Sequence, residues 1–178
     1  HLPLFPVQHH HAHLASCMAD NRLDGTVIGL IWDGTGFGTD GTIWGGECLT
    51  GGYGGFQRFG SLRPIPLIGG DRAIRELDRV AYALLKEAGQ HTDQIENAGC
   101  YRAMLANGLN CPQSSGMGRL FDGVASILKI KKYAGYEGQG AVLLEAAAGE
   151  KETAVLPFEL AEQAGLLVFD WRKTIASL

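Results

Sequence analysis

The stretch "TVIGLIWDGTGFGTDGTIWGGECL", Thr26 to Leu49, contains two apolar segments separated by a glycine-rich one. The first, TVIGLIWD, is rich in β-branched residues and predicts a buried strand that ends at Asp33. The second, GTIWGGECL, predicts the strand that returns beside it. We therefore predict a strand, a turn over Gly34–Gly38 and a return strand, with the first strand at the centre of a sheet.

The glycine-rich turn has the composition of a phosphate-binding loop. Glycine lets the backbone approach a ligand closely, and successive backbone N–H groups form anion-binding concavities. Rossmann and Walker loops lead directly into a helix, whereas this turn leads into a strand. A glycine-rich turn between antiparallel strands is what the actin-like ATPase superfamily uses to hold phosphate. The alternative is a plain hairpin with a mobile tip.

Four histidines lie in VQHHHAHLASCMADN, Val7 to Asn21. His9 and His13 are four residues apart, so a helix would place both on one face, one turn apart. Two imidazoles at this spacing can bind one metal ion. An expression tag is the alternative, but alanine interrupts the run and no linker follows it. The spacing leaves open whether His10 and His11 bind substrate, support the ligands or are solvated.

The overall composition is that of a globular protein. The 178 residues are 46% hydrophobic and carry a net charge of −4, and no basic run suggests nucleic-acid binding. No apolar run approaches the roughly 18 residues that cross a bilayer, and no signal peptide opens the sequence. The four cysteines show no CxxC spacing. We expect a cytoplasmic protein with reduced cysteines, no nucleic-acid partner and no membrane association.

The rest of the chain predicts mainly helices. Apolar residues at helical spacing predict one helix over 69–89, with Asp71 as its N-cap, and two more over 114–130 and 137–150. A short strand is predicted over 153–160. A strand running into a helix is predicted over 166–178, and no linker or internal repeat divides the chain.

Four segments resemble, in order and spacing, the HypF family of carbamoyltransferases from nickel–iron hydrogenase maturation. They are VQHHHAHLASCMADN, WDGTGFGTDGTIWGGECL, SSGMGRLFDGVASIL and YEGQGAVLLE. They are similar to the C-terminal domain of that family, which is itself similar to the tRNA threonylcarbamoyltransferase ATPases. The resemblance implies an α/β fold of the actin-like ATPase, or ribonuclease-H-like, type, present here as an incomplete domain.

The resemblance also implies a reaction. Residues 1–178 would form the first half of the carbamoyltransferase domain, without the upstream acylphosphatase-like, zinc-finger and YrdC-like domains. The carbamoyl group would pass from carbamoyl-adenylate, made with ATP, to the C-terminal cysteine thiol of HypE. A truncated, non-catalytic fragment that binds nucleotide or metal is one alternative. A metal-dependent hydrolase is another, although a general base beside the histidines is not evident.

Spacing and resemblance together predict two groups of site residues. A divalent metal, zinc or iron, would bind His9, His13 and Asp33. ATP or carbamoyl-adenylate would contact the glycine-rich turn and two later positions, namely Gly34, Thr35, Gly36, Gly38, Asp122 and Gly138. The resemblance implies that Asp122 contacts the ribose hydroxyls. From the residues alone, a solvated position on the helix is an equally good interpretation of Asp122. Weaker candidates are Ser114, Ser115, Arg119, Glu137 and Gln139, and no catalytic base is assigned.

Overall fold

The computed structural model describes residues 2–149 and 155–178, and in these ranges the chain forms helices packed against strands. The helices are α1 His9–Asp20, α2 Arg72–Arg75, α3 Asp78–Glu87, α4 Ala98–Ala106, α5 Met117–Ile127, α6 Gln139–Ala147 and α7 Arg172–Ala176. The strands are β1 Val27–Phe37, β2 Ile43–Gly52, β3 Gly55–Leu62, β4 Ile65–Pro66, β5 Gln113–Ser114, β6 Glu159–Gln163 and β7 Leu166–Asp170. Within the described part of the chain, every helix is too short or too polar to cross a bilayer.

The strands form one mixed sheet. Its order is β4-β5-β2-β3-β7-β6, and β1 pairs with β2. The pairs β1–β2 and β2–β3 are antiparallel, whereas β3 and β7 run parallel. The predicted α/β class is therefore confirmed as a mixed sheet with helices packed against it.

Two apolar clusters hold these elements together. The larger one joins α3, α5 and α7 to the sheet and includes Ile65, Leu84 and Trp171, each fully buried. The smaller one consists of Leu14, Met18, Ile31 and Leu49. Each such side chain contributes about 1.5–3 kcal/mol when it is fully buried. Because the smaller cluster fixes α1 on β1 and β2, it also fixes the histidines of α1 relative to Asp33.

The strand prediction for TVIGLIWD is confirmed, but its position in the sheet is not the predicted one. Among the described residues β1 pairs only with β2 and is thus an edge strand. Its inner side carries Ile31, whereas Ile28, Leu30 and Trp32 are 72%, 69% and 68% exposed. The prediction of a central, buried strand was wrong. An apolar run shows that both faces of a strand carry apolar side chains, but it does not show that other elements cover both faces.

The predicted turn over Gly34–Gly38 is also wrong. β1 continues to Phe37, with an irregularity in its pairing between Trp32 and Gly36. The chain reverses only after Gly38, whose N–H donates to the carbonyl of Thr42. Asp40 stabilises this reversal, because its carboxylate accepts hydrogen bonds from the amide and hydroxyl of Thr42. The glycine-rich segment is therefore mostly strand.

The predicted helix over 69–89 is interrupted near its middle. Glu76 leaves the helical conformation with φ −97° and ψ 81°, and its backbone bridges to Tyr133. Its carboxylate accepts hydrogen bonds from Arg72 and Arg79 on either side of the break. Asp71 makes no side-chain capping hydrogen bond. The apolar periodicity does not reveal this interruption, because it depends on a partner more than fifty residues later in the chain.

The remaining predicted elements are placed as follows. Helices over 114–130 and 137–150 are confirmed as α5 and α6, and the segment 166–178 as β7 followed by α7. Residues 150–154 lie outside the described ranges, and the described strand nearest the predicted 153–160 is β6, which begins only at Glu159. Helix α4 was not predicted.

Gly45 provides a stability test of the packing between β1, β2 and α5. A Cβ atom at Gly45 would lie 2.6 Å from the carbonyl oxygen of Asp33 and 2.8 Å from the Cα of Gly116. Both neighbours are backbone, so Gly45→Ala is expected to cost about 1–3 kcal/mol in the free energy of unfolding. Gly54→Ala is the control, because a Cβ there meets no described atom within 4 Å. Equal urea midpoints for the two variants would contradict this packing.

Candidate functional site

The three predicted metal ligands lie together at the junction of α1 and β1. His9 Nε2 is 2.8 Å from Asp33 Oδ2 and 3.2 Å from His13 Nε2. His13 Nε2 is 3.7 Å from the same carboxylate oxygen. The histidine side chains are about half exposed and that of Asp33 about one quarter. The cluster therefore opens to solvent on one side.

Local structure explains why these residues meet. Helix α1 begins at His9, so the four-residue spacing places His9 and His13 on one face. Alternation along β1 puts Asp33 on the same side of the strand as Ile31, which packs against α1 through the smaller apolar cluster. The carboxylate is thus directed at the two rings.

The ligand atoms fit a divalent ion. Zinc–nitrogen and zinc–oxygen bonds are about 2.0–2.2 Å, so tetrahedral ligand atoms lie roughly 3.3–3.6 Å apart. The three distances within the cluster span 2.8–3.7 Å. Two imidazole nitrogens and one carboxylate oxygen suit zinc or iron, and three protein ligands leave a position free. Metal binding itself stays a prediction.

The environment of Asp33 favours its charged form. Burial acts to raise the pKa of this carboxyl, but hydrogen bonds from the Gly34 amide and the His9 ring outweigh it and hold the pKa below its usual value. The Gly34 N–H donates to Asp33 Oδ1 over 2.6 Å. One carboxylate oxygen is thereby occupied by the backbone, while Oδ2 faces the histidines.

The other two histidines of the run have different surroundings. His10 is fully buried and contacts the Trp44 ring. Burial lowers the pKa of His10, and attraction to the carboxylates of Glu47 and Asp33 does not overcome it. His11 lies beside Phe56, and its Nε2 is 2.8 Å from the carbonyl oxygen of Gly52, away from the cluster.

Three of the predicted nucleotide-binding glycines, Gly34, Gly36 and Gly38, pack closely against side chains. A Cβ at Gly36 would lie 2.8 Å from His9 Cδ2 and closer still to the His10 ring. Gly38 lies against the Trp44 indole in the same way, and Thr35 is exposed. None of these glycines has a positive φ. Glycine is therefore required here for close approach, and at Gly36 it makes room for the histidine rings.

This packing predicts a metal-binding defect in Gly36→Ala. The added methyl group would displace the His9 and His10 rings, and disturbing groups that orient metal ligands typically costs 10–100-fold in affinity. We expect the metal affinity of the full-length enzyme to fall by about 10-fold or more. Gly99→Ala is the matched control, since its Cβ meets no described atom within 4 Å. Equal affinities in a chelator competition would show that Gly36 does not seat the ligands.

A second polar cluster, formed by Arg119, Asp122 and Glu137, lies beside Gly34. Arg119 Nη2 is 2.9 Å from Asp122 Oδ2 and 3.8 Å from Glu137 Oε1, and Arg119 and Asp122 are both buried. Burial raises the pKa of Asp122 to about 6, against the lowering effect of Arg119. A Cβ at Gly34 would lie 2.9 Å from Glu137 Oε1. The interpretation of Asp122 as a solvated helix residue is therefore wrong.

Gly138 borders this second cluster. It has φ +82°, which favours glycine, and it caps the N-terminus of α6. A Cβ there would meet no described atom within 4 Å, so the backbone at Gly138 is accessible. Gln139 accepts the Gly135 N–H with its side chain and closes the loop before the helix. The predicted residues Asp122, Gly138 and Gly34 thus lie around one region.

Sequence reasoning missed two residues that support the site. Glu47 is buried and accepts hydrogen bonds from Arg58 Nε at 2.7 Å and from the hydroxyl of Ser115. It thereby ties β2 to the segment that leads into α5. Gln8 caps α1 and contacts His10. A polar residue just before a helix is a signal that could have identified Gln8.

Residues 29–178, which begin in β1 and include Asp33, match the family profile described as carbamoyltransferase, Kae1-like domain, second subdomain. The chain belongs to the HypF carbamoyltransferase family.

Individual relatives support this assignment. The chain is 44% identical to carbamoyltransferase HypF of Rhizobium leguminosarum bv. viciae over 155 residues, which cover 82% of the chain and 20% of the relative. It is 44% identical to HypF2 of Cupriavidus necator over 174 residues, or 92% of the chain and 21% of the relative. The chain therefore spans about a fifth of these proteins.

Two solved structures support the same family assignment. Full-length HypF in the phosphate- and nucleotide-bound form superposes with a TM-score of 0.89 at 35% identity, covering 98% of this chain and 28% of that one. HypF of T. kodakarensis superposes with a TM-score of 0.82 at 31% identity, covering 99% and 25%.

Proposed function

We propose that residues 1–178 form the first half of a HypF-type carbamoyltransferase domain with an actin-like ATPase (ribonuclease-H-like) fold. In the complete enzyme this part acts in carbamoyl transfer from carbamoyl-adenylate to the C-terminal cysteine thiol of HypE. Family membership and the two HypF structures support the proposal. The observation that carries it is the open cluster of His9, His13 and Asp33.

The proposed reaction requires activation of an acyl–phosphate bond. The thiolate sulfur bonds to the carbamoyl carbon, and the bond from that carbon to the adenylate oxygen breaks, so that AMP leaves with the electron pair. A divalent metal, if bound, would supply Lewis acidity for the oxygen atoms that gain charge. His9, His13 and Asp33 would hold it, and the Gly34 N–H keeps Asp33 oriented and ionised. The site thereby aligns the anhydride for attack.

We further propose that the nucleotide contacts the second cluster. The accessible backbone of Gly138 and the exposed Glu137 support a position beside Gly34, with Asp122 near the ribose. Asp122 is itself 1% exposed, so a ribose hydroxyl would reach its carboxylate only if the atoms that cover Asp122 move. Gly34, Thr35, Gly36 and Gly38 would then face the phosphates. A cytoplasmic location, HypE as partner, and the absence of nucleic-acid and membrane partners belong to the same proposal.

Asp33→Asn tests this function. Asparagine keeps the shape of the side chain but removes the charge that a metal requires, and the expected loss of transfer is about 100-fold or more. The measurement is mass spectrometry of the HypE C-terminal peptide after incubation with full-length enzyme, ATP and carbamoyl phosphate. Asp20→Asn, at the exposed end of α1, is the matched control. Equal carbamoylation by both variants would rule out Asp33.

A further inference from the structure

His10 is a buried polar side chain that the proposed metal site does not use. Its exposed fraction is 0%, and its Nε2 atom has no hydrogen-bond partner among the described residues. The nearest carboxylate oxygen, Asp33 Oδ2, is 3.8 Å away. Nε2 therefore lies near the oxygen that faces His9 and His13, but at a distance too long for a hydrogen bond.

The protonation of the His10 ring follows from the hydrogen bonds of Gln8. Gln8 Oε1 accepts the backbone N–H of His11 at 2.9 Å, so this atom is the amide oxygen. Gln8 Nε2 donates to the carbonyl oxygen of Phe37 at 3.1 Å, so this atom is the amide nitrogen. Its second hydrogen points to His10 Nδ1 at 3.1 Å, which must accept it. Neutral His10 therefore carries its proton on Nε2.

This tautomer prevents His10 from binding a metal through Nε2 but leaves Nε2 able to donate a hydrogen bond. A metal binds the lone pair of a ring nitrogen, and on Nε2 that position is occupied by the proton. The ring also has no room to turn away, because it packs on Gly36 and Trp44. Nε2–H is thus a fixed donor beside the cluster, without a hydrogen-bond partner in the part of the chain that the structure describes. A buried donor without a partner is costly, which points to an acceptor that arrives with a ligand.

We propose that the Nε2–H of His10 donates a hydrogen bond to an oxygen atom of an oxyanion held at the His9–His13–Asp33 cluster. Gln8 is the positioning residue that fixes the donating tautomer. The inference rests on the metal site of the proposed function and adds a second, metal-independent contact to the bound oxyanion. A preorganised donor at this point stabilises charge on the oxygen as it develops.

Cobalt-substituted full-length enzyme provides the test. The visible absorption of Co²⁺ reports an oxyanion that enters its coordination sphere, so titration with inorganic phosphate measures binding at this site rather than elsewhere. His10→Phe keeps a planar ring but lacks the donor. We expect it to retain stoichiometric Co²⁺ and to bind phosphate about 10-fold or more weakly, as the loss of a hydrogen bond to a charged acceptor predicts. His11→Phe, which alters a ring facing away from the cluster, should match the parent.

The outcomes separate the two proposals. A parent enzyme that binds no Co²⁺ at these residues overturns the metal site and this inference with it. Normal Co²⁺ binding with unchanged phosphate affinity in His10→Phe overturns only the inference. Should His10→Phe not fold, Gln8→Ala decides: a several-fold loss of phosphate affinity with Co²⁺ retained supports the assignment. Unchanged phosphate affinity in Gln8→Ala contradicts it.

Discussion

Replacing His9 or His13 with alanine is expected to reduce the metal content of the full-length enzyme from one ion at this site to nearly none. Each variant leaves two protein ligands where three are needed. Loss of groups that merely orient ligands already costs 10–100-fold in affinity, so loss of a ligand should cost about 100-fold or more. Carbamoyl transfer to HypE is expected to fall in parallel. Plasma emission spectrometry after dialysis measures the bound metal, and the difference between parent and variant gives the ion lost from this site.

A matched variant distinguishes this effect from a general loss of imidazole. His91 is an exposed histidine outside the cluster, so His91→Ala should retain both metal and activity. The result that would refute the assignment is stoichiometric metal and full transfer in both His9→Ala and His13→Ala. The helix should be unaffected, because alanine is the best helix former.

Asp122→Ala is expected to have the largest effect on stability. It leaves the guanidinium of Arg119, which is fully buried, without its 2.9 Å partner. Breaking a buried ion pair from one side costs about 3–5 kcal/mol. Replacing both residues, as in Arg119→Met with Asp122→Leu, removes the unpaired charge and should cost far less. Denaturant midpoints of the single and double variants measure the difference, and a stable Asp122→Ala variant would contradict the pairing.

This cost bears on how the ribose role of Asp122 is tested. Reduced adenylate affinity in Asp122→Ala would follow from local unfolding alone. Asp122→Asn keeps the volume of the side chain and a polar oxygen beside Arg119, so it disturbs the packing less and is the better variant for calorimetry on the full-length enzyme. Unchanged adenylate affinity in Asp122→Asn would remove the ribose contact from the proposal.

The raised pKa of Asp122 also predicts a pH dependence of stability. Its pKa is about 6 in the folded chain against 3.8 for the free side chain, so between these values the folded state holds a proton that the unfolded state has released. Stability therefore falls as pH rises from about 4 to 6, by about 3 kcal/mol for a shift of about 2 pH units. Asp122→Asn should abolish this slope. An identical slope in parent and variant would assign it to another group.

Part of the site was predictable because it depends on local spacing. The i, i+4 relation of His9 and His13 and the position of Asp33 near the end of an apolar run are both visible in the sequence. Contacts between distant segments could not be predicted from the sequence. The pairing of Arg119 with Asp122 is local, but its burial depends on α6, which packs Gly140 against Asp122.

The errors in the predicted fold have the same origin. The glycines at 34, 36 and 38 indicate a turn by composition, yet they are needed because rings and a carboxylate approach the backbone of β1. Ile28 and Trp32 indicate burial by hydropathy, yet their exposure depends on which elements cover that face of β1. The composition of a segment shows which backbone conformations and environments its residues allow. The elements packed around the segment determine which of these the folded chain adopts.

The central claim is that His9, His13 and Asp33 hold one divalent metal ion. Anomalous diffraction from crystals of the full-length enzyme, collected on both sides of the zinc and iron absorption edges, tests it most directly. We predict one anomalous peak about 2.0–2.2 Å from His9 Nε2, His13 Nε2 and Asp33 Oδ2, with His10 Nε2 outside bonding distance. A metal-replete enzyme that shows no peak at these atoms would contradict the account.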